Sequence, residues 1–160
     1  MKIIKLNKEY LQQAIDLTLN VFPASKPEDF DYPPKWLKYS LENQMPYVSS
    51  LGYYIAVEKE KVIGITGLYE LPEDKEDANW LAWFCVHPSV RGKGLGSRLL
   101  NLMMEKTKKQ GKKYLRLYTS SGPIEETVRK IYIKKGFIET KRERSVDNEH
   151  DKIYMELKIN

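Results

Sequence analysis

The sequence has few of the residues from which disulfides and metal centres are built. Its 160 residues include one cysteine, Cys85, and two histidines. A single cysteine excludes an intrachain disulfide and a cysteine-based zinc cluster. No metal site is therefore predicted.

Long apolar runs are also missing. No stretch approaches the roughly 18 apolar residues of a membrane span. The N-terminal segment Met1–Leu6 alternates lysine with aliphatic residues, unlike the apolar core of a secretory signal. We therefore expect a cytoplasmic protein without a membrane partner. A hydrophobic fraction of 41% in 160 residues suffices for the core of one domain, residues 1–160.

The net charge of +5 is distributed unevenly along the chain. Residues 1–85 carry 9 Lys and Arg against 13 Asp and Glu, residues 86–144 carry 16 against 5, and residues 145–160 carry 2 against 4. The central basic block suggests either an anionic partner or solvated helix faces. It contains no nucleic-acid-binding motif and no interleaved run of aromatics and cations, so no nucleic-acid partner is expected.

Hydrophobic periodicity predicts a mixed α/β layer with the order β-α-α-β-β-β-α-β-α-β-β. The predicted strands cover 2–6, 53–58, 62–69, 79–86, 114–119, 137–144 and 152–157, and helices follow Asn7, begin near Pro33, and cover 95–110 and 124–135. The run 79–86 is almost wholly apolar, as in a central strand covered on both faces. With helix 95–110 and strand 114–119 it forms a parallel β-α-β step.

A glycine-rich turn joins strand 79–86 to helix 95–110. Its residues Arg91-Gly-Lys-Gly-Leu-Gly96 combine glycines that adopt positive φ with cations at a helix N-terminus, where free amides and the helix dipole attract a phosphate. The P-loop pattern is absent, and the spacing differs from the Rossmann fingerprint. The turn is suited to a diphosphate.

The spacing Arg91-x-x-Gly94-x-Gly96 resembles the acetyl-CoA signature of the GNAT N-acetyltransferase superfamily. Tyr132, followed by Gly136-Phe137, resembles a second motif of that superfamily at the expected distance. The two motifs and the strand between them span roughly residues 80–140. The resemblance implies a GNAT-like α/β fold: a mixed, mostly antiparallel sheet with a central splayed parallel strand pair and helices on both faces.

The resemblance also implies acetyl-CoA as co-substrate, bound in the splay and on the turn. The implied cofactor-binding residues are Phe84, Cys85, Val86, Arg91, Gly92, Lys93, Gly94, Leu95, Gly96, Ser97, Ser120 and Tyr132. Phe84 and Val86 would act through their backbone groups. Ser120 or Ser121 would substitute for an asparagine that many members carry before the second motif.

Transfer of an acetyl group to an amine needs an acid for the leaving thiolate and a way to remove the amine proton. Tyr132 matches the position of the acid in the superfamily. For the base, Glu70 is the nearest carboxylate by topology. The acidic loop after it and a chain of waters remain alternatives. Cys85 fits a buried small side chain better than a covalent relay.

Acidic and aromatic residues cluster in the segments expected around the acceptor, including Phe30, Trp36, Glu70 and Trp80. Such a wall suits a small cationic amine, although the same residues also fit ordinary packing. The expected function is acetylation of a primary amine by direct attack in a ternary complex. A catalytically silent CoA-binding regulatory module is the alternative, and a homodimer is compatible with the resemblance.

Overall fold

The strands form a single mixed sheet. A computed structural model describes residues 1–144 and 149–160. Its strands are Lys2–Lys5 (β1), Ser49–Glu58 (β2), Lys61–Glu70 (β3), Ala78–Leu81 (β4), Cys85–Val86 (β5), Tyr114–Ser120 (β6), Ile138–Glu143 (β7) and Lys152–Lys158 (β8). Their order is β1-β2-β3-β4-β6-β8-β7, with β5 paired to β3. The neighbours are antiparallel except β4 and β6, which are parallel.

Helices cover both faces of the sheet, as predicted. They are Leu11–Val21 (α1), Pro33–Glu42 (α2), Leu95–Lys109 (α3) and Glu126–Lys134 (α4). Helices α1 and α2 pack on a core that includes Leu17, Leu37 and Ile65. Helices α3 and α4 pack on the opposite core, which includes Leu99 and Tyr132. No helix in the described part of the chain has the length and apolarity needed to cross a membrane.

Local sequence signals explain where the helices begin and end. The Asn7 side chain accepts a hydrogen bond from the Tyr10 amide at 3.3 Å and caps the turn before α1. Pro33 and Pro34 begin α2, because proline lacks the amide that the first helical turn leaves free. Beyond α3, Gly111 has φ of +73°, the left-handed conformation that favours glycine after a helix.

The predicted continuous strand 79–86 is wrong, because a bulge interrupts it. Leu81 is opposite Leu68 and Cys85 is opposite Ile65, so four steps on this chain match three on β3. The extra residue breaks the alternation of side chains: Leu81 and Phe84 pack on the α3 face, whereas Ala82 and Trp83 pack on the α1 face. The bulge therefore divides the strand into β4 and β5.

The parallel pair separates beyond the bulge. In the described residues, β6 pairs with β4 over residues 114–116, and its remainder pairs with β8 alone. Strand β5 pairs with β3 and not with β6. A gap consequently opens between β5 and the end of β6, which confirms the splay expected from the sequence.

Candidate active site

The glycine-rich turn requires glycine at two positions. Gly92 has φ of +75° and Gly94 has φ of +82°, a region that other residues adopt only at a cost. A Cβ atom at either position would meet nothing within 4 Å. The backbone conformation, rather than crowding, therefore dictates glycine. Gly96 lies in the first turn of α3, where a Cβ would have ordinary contacts at 3.7 Å with Ile131 and Phe84.

The N-terminus of α3 begins with amides that have no hydrogen-bond partner among the described residues. The first hydrogen bond of the helix runs from the Arg98 amide to the Gly94 carbonyl at 3.1 Å, so the amides of Leu95, Gly96 and Ser97 precede the helical ladder. Arg91 and Lys93 are exposed beside them. Open glycines, free amides and full positive charges together fit a bound diphosphate.

Strand β5 presents backbone groups to the gap. The His87 amide donates to the Ile63 carbonyl at 2.9 Å. Because neighbouring residues in a ladder direct their backbone groups to opposite sides, the Val86 amide points away from β3 and into the gap. Its carbonyl accepts a hydrogen bond from Arg91 Nε at 3.2 Å, which ties the glycine-rich turn to β5.

A cavity of about 820 Å³ fills the gap. Ala82, Trp83 and Phe84 line one side, and residues 117–120 of β6 line the other. On one face of the sheet the cavity reaches Tyr132, which lies on α4. On the opposite face it reaches Trp36, which lies on α2. It therefore passes through the sheet and connects its two faces.

Tyr132 lies at the α4 side of the cavity and is 5% exposed. Its ring centroid is 6.1 Å from that of Phe84 and 5.6 Å from that of Phe137. Burial raises the pKa of Tyr132 well above that of a free tyrosine, and the charge of Glu125 raises it further. The hydroxyl therefore stays protonated at neutral pH and is a hydrogen-bond donor.

Glu125 is a partly buried carboxylate beside this tyrosine that the sequence did not single out. It accepts hydrogen bonds from Thr119 Oγ1 and from the Ser120 amide, both at 2.9 Å. Burial raises its pKa, and these two donors oppose that rise. Glu125 thereby fastens the start of α4 to the end of β6. Its position just before a helix was the only sequence signal for such a role.

Asp31 lies at the α2 side of the cavity. Its Oδ2 accepts a hydrogen bond from the Tyr118 hydroxyl at 2.8 Å, and its backbone carbonyl accepts one from Trp83 Nε1 at 2.8 Å. The rings of Trp36 and Tyr69, whose centroids are 5.2 Å apart, line the same side. A carboxylate among aromatic rings favours a cationic ligand.

Comparison with known proteins identifies the family. The model of the acetyltransferase (GNAT) family matches residues 13–137, which include the turn, both sides of the gap and α4. The chain belongs to the GNAT acetyltransferase family. No curated protein sequence matches it significantly.

Solved structures share the fold at low sequence identity. A GNAT-family protein from Desulfovibrio desulfuricans has a TM-score of 0.82 and 18% identity, over 99% of each chain. An aminoglycoside 6'-N-acetyltransferase complexed with coenzyme A has a TM-score of 0.75 and 18% identity, over 100% of this chain and 98% of its own. The ribosomal-protein-S18-alanine N-acetyltransferase from Escherichia coli has a TM-score of 0.72 and 20% identity, over 99% and 94%.

Three residues predicted from the sequence, Glu70, Trp80 and Phe30, are not among the described residues that line the cavity. Glu70, the predicted base, forms an ion pair with Lys112 at 2.8 Å. Trp80 donates from Nε1 to Asp74 at 2.9 Å, and Phe30 is 55% exposed. The structure therefore brings Trp36, but not these three, to the cavity that contains Tyr132.

The remaining predicted residues lie around the gap or the turn. Phe84, Ser120 and Tyr132 line the cavity, and Ser120 Oγ accepts a hydrogen bond from the Gly122 amide at 3.0 Å. Cys85 is 5% exposed and is paired with Ile65 of β3. Burial raises the pKa of its thiol to about 12, so the thiolate that a covalent relay would need is disfavoured.

The described residues contain no cluster of three histidine, cysteine or acidic side chains arranged to hold a metal ion. His87 instead accepts a hydrogen bond at Nδ1 from the Ser89 amide at 3.2 Å and caps the short turn at the end of β5.

Proposed function

We propose that this GNAT protein transfers the acetyl group of acetyl-CoA to a primary amine, by direct attack while both substrates are bound. The observation that carries the proposal is the cavity through the sheet. It connects Tyr132 on one face to an acidic and aromatic wall on the other, beside a turn suited to a diphosphate. Two substrates entering from opposite faces would meet between β5 and β6.

The turn and β5 would bind acetyl-CoA, which supplies the acetyl group as an activated thioester. The amides of residues 91–97 would hold the diphosphate, with Arg91 and Lys93 adding charge. The Val86 amide, which points into the gap, would hold the pantetheine arm. These contacts come mainly from the backbone, and they therefore depend on the φ values of Gly92 and Gly94.

Tyr132 would serve as the acid for the leaving group. Its hydroxyl remains protonated because burial and Glu125 raise its pKa, so it can hydrogen-bond to the sulfur as negative charge develops there. The proton of the attacking amine would pass to solvent, since Glu70 is held in an ion pair away from the cavity.

The acceptor would be a small cationic amine. Asp29 and Asp31 line the cavity with Trp36 and Tyr69, and this combination attracts a positively charged ligand. The structurally similar enzymes named above act on aminoglycosides and on a ribosomal-protein alanine. The acidic and aromatic walls of this cavity favour a small amine as the acceptor. We further propose that the enzyme is cytoplasmic and consists of one domain.

The experiment measures free thiol released from acetyl-CoA in the presence of a panel of primary amines. We expect release that depends on the amine, and a kcat about a hundredfold lower in Tyr132→Phe, because general-acid catalysis typically contributes about 10²–10⁴. Tyr114→Phe, on β6 but outside the described lining, is the matched control and should retain full activity. Tight acetyl-CoA binding without turnover on any amine would instead indicate a silent CoA-binding module.

A further inference from the structure

We propose that Asp31, flanked by Trp36 and Tyr69, binds a second cationic group of the acceptor, so that the substrate is a diamine acetylated at its other nitrogen. This inference rests on the proposed acetyl transfer and specifies which amines that reaction accepts. Its basis is a carboxylate that the fold positions in the cavity and that forms no ion pair with a lysine or arginine among the described residues.

Asp31 is held in place at two points. The Trp83 indole, on the bulge, donates to its backbone carbonyl, and the Tyr118 hydroxyl, on β6, donates to its carboxylate, both at 2.8 Å. Both sides of the gap therefore fix the position of Asp31. The Trp83 ring is itself held by Phe22 at a centroid distance of 4.8 Å. A carboxylate fixed in this way is preorganised to bind a ligand.

The charge of Asp31 is not neutralised by an ion pair. Among described residues, Glu70, Asp74 and Asp77 pair with lysine or arginine at 2.7–2.8 Å, whereas Asp31 forms no such pair. The nearby Lys152 ammonium lies 4.0 Å from the centroid of the Tyr118 ring instead. Because Asp31 is only half-buried and lines the cavity, its carboxylate is accessible to a cation that enters there.

The nitrogen that attacks the thioester would lie at the Tyr132 side of the cavity, opposite Asp31. Tyr132 packs with Phe84 in the core beneath α3 and α4. Asp31 instead accepts a hydrogen bond from Trp83, which packs on the core beneath α1 and α2. Both Tyr132 and Asp31 line the same cavity. A ligand that contacts both Asp31 and the region of Tyr132 must extend through the gap.

Physical chemistry decides which nitrogen Asp31 binds. An amine attacks a thioester only as its free base. A carboxylate beside an ammonium stabilises the charged form and raises its pKa, which would reduce the reactive fraction. Asp31 would therefore hinder the reaction if it held the attacking nitrogen. It promotes the reaction by holding a nitrogen that stays protonated, which a diamine provides.

The test compares 1,4-diaminobutane with 1-butylamine, two amines of equal chain length that differ in the second cation. In the wild type we expect kcat/KM to be roughly tenfold or more higher for the diamine, as a desolvated cation–π and charge contact implies. Asp31→Asn should raise the KM for 1,4-diaminobutane by about tenfold and the KM for 1-butylamine by much less, so that the preference for the diamine is lost. Asp31→Glu should restore part of the preference.

Glu28→Gln is the matched control, because it removes an exposed carboxylate from the same segment, and it should preserve the preference for the diamine. Equal kcat/KM for the two amines in the wild type would overturn the proposal. So would an equal loss of kcat with both amines in Asp31→Asn, which would place Asp31 on the reacting nitrogen.

Calorimetric titration of 1,4-diaminobutane into acetyl-CoA-saturated protein separates this inference from the proposed function. If no amine releases thiol, the proposed transfer fails. Binding of the diamine that is lost in Asp31→Asn would still support the cation site, and binding that is equal in both proteins would refute it.

Discussion

Tyr132 illustrates how burial at a single residue serves the proposed chemistry. Its ring packs against Phe84 and Phe137, and this packing removes the hydroxyl from bulk water. The raised pKa therefore follows from the same contacts that hold the ring in place. Since a phenol with a raised pKa stays protonated, Tyr132 can act as a donor throughout the neutral range but not as a base there.

Glu70 offers a residue-scale test of whether the predicted base takes part in the reaction. In its ion pair with Lys112, the Glu70 side chain is 22% exposed and the Lys112 side chain is 13% exposed. Glu70→Gln should therefore lower the free energy of unfolding by about 1 kcal/mol, through loss of a partly buried pair, and leave kcat within about twofold. Urea unfolding and steady-state kinetics measure the two effects.

Lys112→Met serves as the partner control for that pair, and we expect a similar loss of stability without a change in kcat. A hundredfold fall in kcat confined to Glu70→Gln would restore Glu70 as the base.

At the scale of elements, the bulge between β4 and β5 has the largest effect on the site. It moves Trp83 to the α1 face and Phe84 to the α3 face. Trp83 then reaches Asp31, and Phe84 reaches Tyr132. One inserted residue thus opens the gap and places one aromatic ring on each face of the sheet beside it. A regular strand would instead have continued to pair with β6.

The turn before α3 provides a prediction at the same scale. Gly94→Ala should destabilise the protein by about 1–2 kcal/mol, because the left-handed backbone conformation at φ of +82° is less favourable for alanine than for glycine. It should also raise the KM for acetyl-CoA, since relaxation of the turn would displace the amides that we propose hold the diphosphate. Denaturant unfolding and kinetics at varied acetyl-CoA concentration measure both effects.

Gly111→Ala is the matched control at the other end of α3. Gly111 has φ of +73°, and its Cβ position is equally open, so the loss of stability should be similar and the KM unchanged. An equal increase in KM in both variants would show that general destabilisation, rather than the turn, weakens binding.

At the scale of the whole molecule, opposite charges from distant parts of the sequence neutralise one another. Three cations of the basic block pair with acidic residues from elsewhere in the chain: Lys112 with Glu70, Lys113 with Asp77, and Arg116 with both Asp74 and Glu156. Another three, Arg91, Lys93 and Arg98, are exposed around the N-terminus of α3. The basic block is therefore divided between ion pairs with distant carboxylates and exposed cations, some of which surround the glycine-rich turn.

Ligand binding should stabilise the whole fold. Acetyl-CoA at about 100 times its Kd should raise the unfolding free energy by roughly 2.7 kcal/mol, which for a chain of this size corresponds to an increase in Tm of about 5–10 °C. The increase should shrink with added salt, because exposed charges are screened. Pantetheine, which lacks the diphosphate, is the control and should give a much smaller shift; an equal shift would argue against the turn as the phosphate site.

The sequence by itself determined the family-level features of this protein. Local preferences encode the glycine turn, the caps of the helices and the apolar periodicities, because each depends on neighbouring residues. The match of Arg91–Gly96 with Tyr132 and Gly136-Phe137 was therefore sufficient to predict the family and the fold class.

Only the tertiary structure decided which carboxylates and rings meet at the gap. The sequence pointed to Glu70 and did not single out Asp31, but Glu70 pairs with Lys112, whereas Asp31 is held in the cavity by Trp83 and Tyr118. The bulge that brings Trp83 to Asp31 depends on the register of β4 and β5 against β3. Such register depends on packing across the sheet, between residues distant in sequence, and local patterns do not encode it.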